Sequence, residues 1–217
     1  MHIKKSEQGF TLVEIAIVLV IIGLLLGGSI KGYELIESVK IKQVKRFHDE
    51  FKAAFYFYQD MYRYYPGDDP GADRFDGVPS KYNGNGDGEV TGHWRGKENG
   101  NESVLLWLHL RASGLLSNFA DLSDSHNPFG GETPRPVNPF GGVIGFEYNT
   151  ERDKKGRLKE LGIPVLCFDG IDQDVGNKID IAYDDGVANT GEVVATEIHI
   201  KEIVDAYGLN RALCFKF

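Results

Sequence analysis

The sequence predicts an α+β fold in which one long N-terminal helix packs on a small, mostly antiparallel sheet, with short extra helices. Three observations carry this prediction. An apolar run of helical length lies near the start of the 217-residue chain, and aromatic residues spaced three or four apart follow it. Short segments rich in Val, Ile, Phe and Tyr then lie in the second half, between clusters of Gly, Asn, Asp and Pro.

The apolar run extends from Phe10 to Ile30, and about 20 such residues are enough to span a bilayer as a helix. Lys4 and Lys5 precede it, and a basic flank predicts that the N-terminus lies in the cytoplasm. The run contains one carboxylate, Glu14. An ionised carboxylate in hydrocarbon costs roughly 2.5–3.5 kcal/mol even on lenient insertion scales. Glu14 is therefore predicted to be functional and to need a partner.

The helix is predicted to continue beyond the apolar run, from Phe10 to about Tyr64. After Gly32 the apolar residues recur three or four apart, which is one face of an amphipathic helix. Pro66 and Gly67 end the pattern. The residues of this face are Val44, Phe47, Phe51, Ala54, Phe55, Tyr58, either Met61 or Tyr62, and Tyr65.

The rest of the chain predicts two further helices and four strands. Residues 102–116 form a helix with Asn101 as its N-cap, and Trp107, Leu110 and Leu115 would face the core. A third helix carries apolar residues four apart from Ile171 to Tyr183 and ends at Gly186. The predicted strands are Val143–Tyr148, Pro164–Phe168, Glu192–Ile200 and Ala212–Phe217.

The net charge and the lack of catalytic motifs argue against two classes of protein, nucleic-acid binding proteins and enzymes. The net charge of −8 argues against binding to nucleic-acid backbones, which attract basic surfaces. The six histidines have no metal-ligand spacing, and the chain has neither a nucleophile elbow nor a phosphate-binding Gly loop. We therefore predict that the protein is not an enzyme and has no catalytic residues.

Cys167 and Cys214 are the two cysteines of the chain. If the domain that contains them lies outside the cytoplasm, an oxidising compartment favours a disulfide between them, joining two strands of the sheet. Two free buried thiols are the alternative. A zinc site is not expected, because the sequence contains no Cys-x-x-Cys pair.

Calcium is the only cofactor that the sequence suggests. Asn83, Asn85 and Asp87 alternate before Gly88, as oxygen ligands do in the first half of a calcium loop. Asn stands at the first ligand position and Trp94 at the closing position, where a calcium loop has Asp and Glu. The same residues also form turns without a metal. Residues that could complete a non-standard site are Asp68, Asp69, Asp73, Glu89 and Glu98.

A second acidic cluster lies around the start of the third predicted helix. A helix start favours carboxylates, so we interpret the first three members as helix-capping residues rather than as metal ligands. The cluster consists of Asp169, Asp172, Asp174 and Asp180.

The N-terminal motif resembles that of the type IV pilin and type II secretion pseudopilin family. It consists of a short basic leader ending in Gly9, then Phe10-Thr-Leu-Val-Glu14 and the apolar run. The resemblance implies that a prepilin peptidase in the membrane cuts between Gly9 and Phe10 and methylates the new amino group of Phe10. It further implies that Glu14 pairs with the Phe10 amino group of a neighbouring subunit, since opposite charges attract strongly in a low dielectric. A plain signal anchor with an incidental Glu is the alternative.

The same resemblance implies an organisation and a place in the cell. Residues 1–9 would be the leader, and residues 10–32 the transmembrane and filament-core helix. Residues 33–217 would be the amphipathic half of that helix and a periplasmic or extracellular head. Partners would be copies of itself or other pilins or pseudopilins, the prepilin peptidase, the inner membrane and the assembly platform of a Gram-negative-type bacterium. The alternative function is a membrane-tethered module that binds calcium or another ligand, or is adhesive, and does not polymerise.

Overall fold

The computed structural model describes residues 11–94, 101–116, 135–148, 164–197, 203–204, 206–207 and 211–217. The chain divides into two compact units, residues 1–40 and 41–217. Helix α1, Leu12–Tyr62, contributes residues to both units. The predicted long N-terminal helix is therefore confirmed.

In the first unit, the apolar side chains of α1 are exposed. From Leu12 to Val39 they make no core, and Leu12 itself is 91% exposed. By length and composition this helix could cross a membrane. Such a surface is costly in water, so this part of α1 needs a lipid or protein environment.

In the second unit, α1 buries the apolar face that its spacing predicts. Tyr62 packs against the core, whereas Met61 is 60% exposed, which decides between the two residues at that position. The helix ends at Tyr62 because Arg63 has a left-handed φ of 66° and Pro66 follows. The fully buried residues of the helix are Val44, His48, Phe51, Ala54, Phe55 and Tyr58.

The sheet has five antiparallel strands in the order β1-β2-β5-β3-β4. Four lie where the sequence predicts strands, although residues 198–200 of the third predicted strand are outside the described residues. The two-residue strand β4 was not predicted, since two residues give no detectable alternation. The strands are β1 Ile144–Tyr148, β2 Pro164–Phe168, β3 Val193–Glu197, β4 Ile203–Val204 and β5 Arg211–Lys216.

The two faces of the sheet belong to different apolar clusters. One face packs with α1, where the ring of Phe51 lies 5.6 Å from that of Phe146 and 5.0 Å from that of Trp107. On the other face Trp94 packs with Cys167 and Cys214. Because the sheet is buried on both faces, β2 and the centre of β5 carry apolar residues on both faces instead of alternating apolar and polar ones.

Helix α2, Glu102–Ala112, begins as predicted but ends earlier. The side chain of Asn101 accepts a hydrogen bond from the Ser103 N–H at 3.1 Å, so it is the N-cap. The prediction that the helix reaches residue 116 is wrong, because Gly114 adopts a φ of 76° and turns the chain. Trp107 and Leu110 are buried, and Leu115 packs against the core, as expected.

Helix α3, Gln173–Tyr183, confirms that a third helix lies here, but it ends at Tyr183 rather than at the predicted Gly186, because Asp184 leaves the helical conformation. It starts after Ile171, which is buried in the core without being helical.

Candidate functional site

Helix α1 begins with a capping box formed by Thr11 and Glu14. The Thr11 carbonyl accepts the first helical hydrogen bond, from the Ile15 N–H at 3.4 Å, and Thr11 Oγ1 accepts one from the Glu14 N–H at 3.3 Å. In return, Glu14 Oε2 accepts hydrogen bonds from the Thr11 N–H at 2.8 Å and from its O–H at 2.9 Å. These reciprocal bonds satisfy backbone donors that a helix start otherwise leaves without partners.

The capping box lies at the start of a long, mainly apolar stretch. Glu14 is the only charged residue from Phe10 to Ile30, and its neighbours on the helix are exposed Leu, Val and Ile side chains. Within the described residues, Thr11 supplies the only hydrogen-bond donors to the Glu14 carboxylate, and both bonds go to Oε2. Oε1 accepts no hydrogen bond from that part of the chain.

Gly9 and Phe10, the predicted cleavage and methylation residues, lie outside the described residues. Their roles stay predictions, as does the pairing of Glu14 with a neighbouring amino group.

The two cysteines form a disulfide. Cys167 of β2 and Cys214 of β5 lie opposite each other in register, and their sulfur atoms are bonded across a sequence separation of 47 residues. Both residues are fully buried, and the Oγ1 atom of Thr196 lies 3.3 Å from the Cys214 sulfur.

The predicted calcium ligands Asn83, Asn85 and Asp87 all accept hydrogen bonds within the protein. Asn83 Oδ1 accepts a hydrogen bond from the Asp73 N–H at 2.8 Å. Asn85 Oδ1 accepts one from the Asp87 N–H at 2.8 Å, which makes an Asx turn. Asp87 also lies near two carboxylates, Asp68 and Glu102, whose oxygens lie within 4.8 Å of its own.

Asp68 and Glu102 are buried carboxylates that hold the backbone of residues 85–91. Both oxygens of Asp68 accept backbone N–H bonds, at 2.7 to 3.0 Å, from Gly86, Asp87 and Gly88. Glu102 accepts from the Asn85 N–H and from the N–H and O–H of Thr91.

Burial raises the pKa of Asp68, and the nearby Glu102 carboxylate raises it further. Three close carboxylates are an oxygen-rich donor set of the kind that calcium prefers. Their oxygens nevertheless already accept hydrogen bonds from the protein, so the loop is satisfied without an ion. Calcium binding therefore stays a prediction.

The second acidic cluster is also divided. Asp172 occupies the N-cap position of α3 without a side-chain capping bond, and Asp174 lies in the first turn. Asp180 is fully buried, where it accepts a hydrogen bond from the Tyr207 O–H at 2.8 Å, and burial raises its pKa. Its acidic neighbours are Asp184 and Asp185 rather than the residues at the helix start.

Three polar residues of the second unit were not predicted to act together. Asp69 is fully buried and accepts hydrogen bonds from the Tyr58 O–H at 2.6 Å and from both terminal nitrogens of Arg74 at 2.6 and 2.9 Å. The sequence suggests Asp69 only as an auxiliary calcium ligand. Its neighbours Pro66, Gly67 and Pro70 indicate a turn but give no sign of burial.

Thr11 was missed as well, although the sequence does signal it. A Ser or Thr three residues before a Glu, just ahead of an apolar run, is the pattern of a capping box.

Comparison with known proteins gives one finding. A family model described as the prokaryotic N-terminal methylation motif matches residues 4–30. No curated protein and no solved structure matches the chain. The matched residues include the basic leader, Gly9, Phe10 and the Thr11–Glu14 capping box. The chain thus carries the N-terminal methylation motif that is the signature of type IV pilins and pseudopilins, on an α+β, pilin-like layout.

Proposed function

We propose that this protein is a structural subunit of a type IV pilus or of a type II secretion-like pseudopilus. A prepilin peptidase cuts it between Gly9 and Phe10 and methylates Phe10. The subunit then leaves the inner membrane and packs into a filament through α1. The observation that carries this proposal is the methylation motif at residues 4–30, whose apolar part is the exposed first half of α1.

The exposed apolar surface of α1 supports both stages of this life cycle. Before assembly, lipid covers the apolar residues from Leu12 to Ile30, because this part of the helix is long and apolar enough to cross a bilayer. After assembly, the same side chains pack against helices of other subunits. Glu14 pairs with the Phe10 amino group of a neighbour and so fixes the register between two helices.

The disulfide supports a head outside the cytoplasm. Structural disulfides persist in the periplasm and at the cell surface, whereas cytosolic thiols are kept reduced. A head exported to the periplasm would keep the disulfide oxidised, while the basic N-terminal flank of the helix would stay in the cytoplasm, as its charge predicts.

The test of this proposal is mass spectrometry of filaments sheared from the native cells. We expect the N-terminal peptide to begin with methylated Phe10. If this chain dominates the sheared material, it is the major pilin. If it is processed but rare, it is a minor pilin or a pseudopilin. Residues 1–9 still attached in the mature protein would refute the proposal and favour a tethered module that does not polymerise.

The pairing role of Glu14 is tested separately by Glu14→Gln, with Glu34→Gln as the matched control. Glu34 lies on the same helix beyond the apolar run and forms an exposed ion pair with Lys31 at 2.7 Å. We expect Glu14→Gln to be processed yet excluded from filaments, while Glu34→Gln assembles. Normal incorporation of Glu14→Gln would contradict the pairing.

A further inference from the structure

Two consecutive Asn-Gly pairs, Asn83-Gly84 and Asn85-Gly86, lie in the segment that follows α1. Asn-Gly pairs are prone to deamidation, because glycine has no side chain to hinder the attack of its backbone nitrogen on the preceding Asn. We propose that this loop is a site of spontaneous deamidation that the folded head keeps unreactive, and that Asp68 is the residue that blocks the reaction at Asn85.

The reaction needs only water as a co-reactant. The Gly86 nitrogen attacks Cγ of Asn85 and forms a carbon–nitrogen bond, while the Gly86 amide proton leaves with the side-chain nitrogen as ammonia. Water then opens the resulting succinimide ring to give aspartate or isoaspartate. Each completed reaction adds one carboxylate to the loop, and Asn83 can react with Gly84 in the same way.

Packing explains why glycine follows both asparagines. A Cβ atom on residue 84 would lie 2.1 Å from the Asp68 carbonyl carbon, so a larger residue does not fit there. Gly86 has a φ of 74°, a left-handed conformation that glycine adopts without strain. The fold therefore requires the glycines that make the two pairs reactive.

The folded loop holds both nitrogens that would attack. The Gly84 N–H donates to the Asp69 carbonyl at 2.8 Å. The Gly86 N–H donates to the Asp68 carbonyl at 2.9 Å and also to Asp68 Oδ1 at 2.7 Å. Attack requires the nitrogen to leave these acceptors, so each bond opposes the reaction. Because Gly86 has an additional bond to a carboxylate, Asn85 should be the better protected asparagine.

The asparagine side chains are held in place as well. Asn83 Oδ1 accepts a hydrogen bond from the Asp73 N–H, and Asn85 Oδ1 accepts one from the Asp87 N–H, both at 2.8 Å. Rotating Cγ towards the following nitrogen breaks these bonds. Asn85 is nevertheless exposed, so water reaches it whenever the loop opens locally.

Deamidation at Asn85 changes the charge balance of the loop. Asn85 Nδ2 donates to Asp87 Oδ2 at 3.2 Å, and oxygens of Asp68 and Glu102 lie within 4.8 Å of Asp87. A carboxylate at residue 85 replaces this donor with a like charge, which favours the open loop. A head that has opened once is therefore marked by an additional negative charge.

The first measurement compares the folded full-length protein in detergent micelles with the same protein in denaturant, at mildly alkaline pH. Tandem mass spectrometry of peptides prepared at low pH locates each new acid at residue 83 or 85 and gives its rate of formation. We expect Asn83 to react at least about ten-fold more slowly in the folded protein, and Asn85 about ten-fold more slowly again, because a hydrogen bond to a charged group changes an equilibrium constant by about that factor. Equal rates in the folded and denatured protein would overturn the proposal.

Asp68→Asn tests the role of Asp68, with Asp73→Asn as the matched control. Both variants remove one carboxylate charge close to the loop, but Asp73 is exposed and only its backbone N–H bonds to Asn83. The Asn side chain has one acceptor oxygen where Asp68 uses two. Asp68→Asn should therefore speed the reaction at Asn85 about ten-fold and leave Asn83 unchanged, whereas Asp73→Asn should change neither rate.

Equal acceleration at both asparagines in Asp68→Asn would show that the head opens as a whole, and it would overturn the specific role of Asp68. A slower reaction at Asn85 in this variant would overturn it as well, because Asp68 would then act as a base on the Gly86 N–H.

Hydrogen exchange of the wild type, followed by NMR, covers the case in which Asp68→Asn does not fold. The Gly86 amide should exchange about ten-fold more slowly than the Gly84 amide, since its nitrogen is held by the additional carboxylate. Equal exchange of the two amides would contradict the role of Asp68.

Discussion

Tyr58 of α1 donates a hydrogen bond of 2.6 Å to the fully buried carboxylate of Asp69. Asp69 in turn accepts two hydrogen bonds from Arg74, whose guanidinium lies 5.1 Å from the ring centre of Tyr62. This network joins the last turns of α1 to residues 69–74, which follow the helix in the chain. A buried carboxylate is tolerated there because donors surround it, and those donors hold its pKa below the usual range despite burial.

Tyr58→Phe should destabilise the head by about 1.5–3 kcal/mol, the usual worth of a hydrogen bond to a charged group. The substitution removes the hydroxyl and leaves one Asp69 oxygen with less compensation. The change in unfolding free energy can be measured by thermal or denaturant unfolding of the full-length protein in micelles. Tyr56→Phe is the matched control, since Tyr56 is an exposed residue of the same helix and its loss of a hydroxyl should change nothing. Equal stability of Tyr58→Phe and the wild type would contradict the role of this network.

Acidification should destabilise the head through His109. This histidine is fully buried, with Nδ1 accepting the Gly67 N–H at 2.9 Å and Nε2 donating to the Tyr82 carbonyl at 2.9 Å. That arrangement requires the neutral ring, and burial lowers the pKa of His109. As the pH falls below about 6.5, the unfolded state takes up the proton first, so stability is complete above that pH and lost below it.

The expected slope from His109 is at most about 1.4 kcal/mol per pH unit. It can be measured as the change in unfolding free energy between neutral and mildly acidic buffer. His48 contributes with the same sign, because burial also lowers its pKa, so His109→Gln should reduce the slope rather than abolish it. A slope that is unchanged in His109→Gln would refute this assignment.

Removing the disulfide should lower the stability of the head by about 4 kcal/mol in the chain-entropy model, given its loop of 47 residues. The Cys167→Ala, Cys214→Ala double variant tests this by thermal unfolding without leaving a free thiol. Because both cysteines are fully buried, mild reductant should leave the folded wild type unchanged and act only once it unfolds. A double variant as stable as the wild type would contradict a stabilising role of the disulfide.

Calcium binding is tested by measuring the melting temperature of the protein in millimolar calcium and in chelator. If the predicted loop binds the ion, calcium should raise the melting temperature, and Asp87→Asn should remove the increase. Asp87 is exposed, so this change should leave the apo protein folded. Asp185→Asn is the matched control in the other acidic cluster. A melting temperature independent of calcium would contradict the prediction.

Much of the fold could be predicted, because helices and strands that bury a face have apolar residues at the matching spacing in the sequence. The aromatic face of α1 and the strands around Phe146, Leu166 and Phe215 are apolar where they are buried. The burial of Asp68 and Glu102 could not be predicted, because it depends on donors from residues 85–91. Apart from the Thr91 O–H, those donors are backbone N–H groups, which almost any sequence carries.

Close approaches between distant backbone segments cannot be predicted from the sequence either. A Cβ atom on Gly145 would lie 2.3 Å from the Trp94 carbonyl oxygen, so a glycine in the middle of β1 is required by a residue far away in the chain. For the N-terminal site the situation is reversed. The Thr11 and Glu14 spacing alone defines the capping box, because both residues lie within one helical turn.

The position of β5 has a consequence for biogenesis. It follows every other described element in the chain, yet it lies in the middle of the sheet between β2 and β3. For a chain exported from its N-terminus outward, as the proposed function requires, two separate pairs of strands could not join until this segment emerges. The sheet would then close in one late step, when Cys214 reaches Cys167, and a chain interrupted before residue 211 would keep its sheet divided.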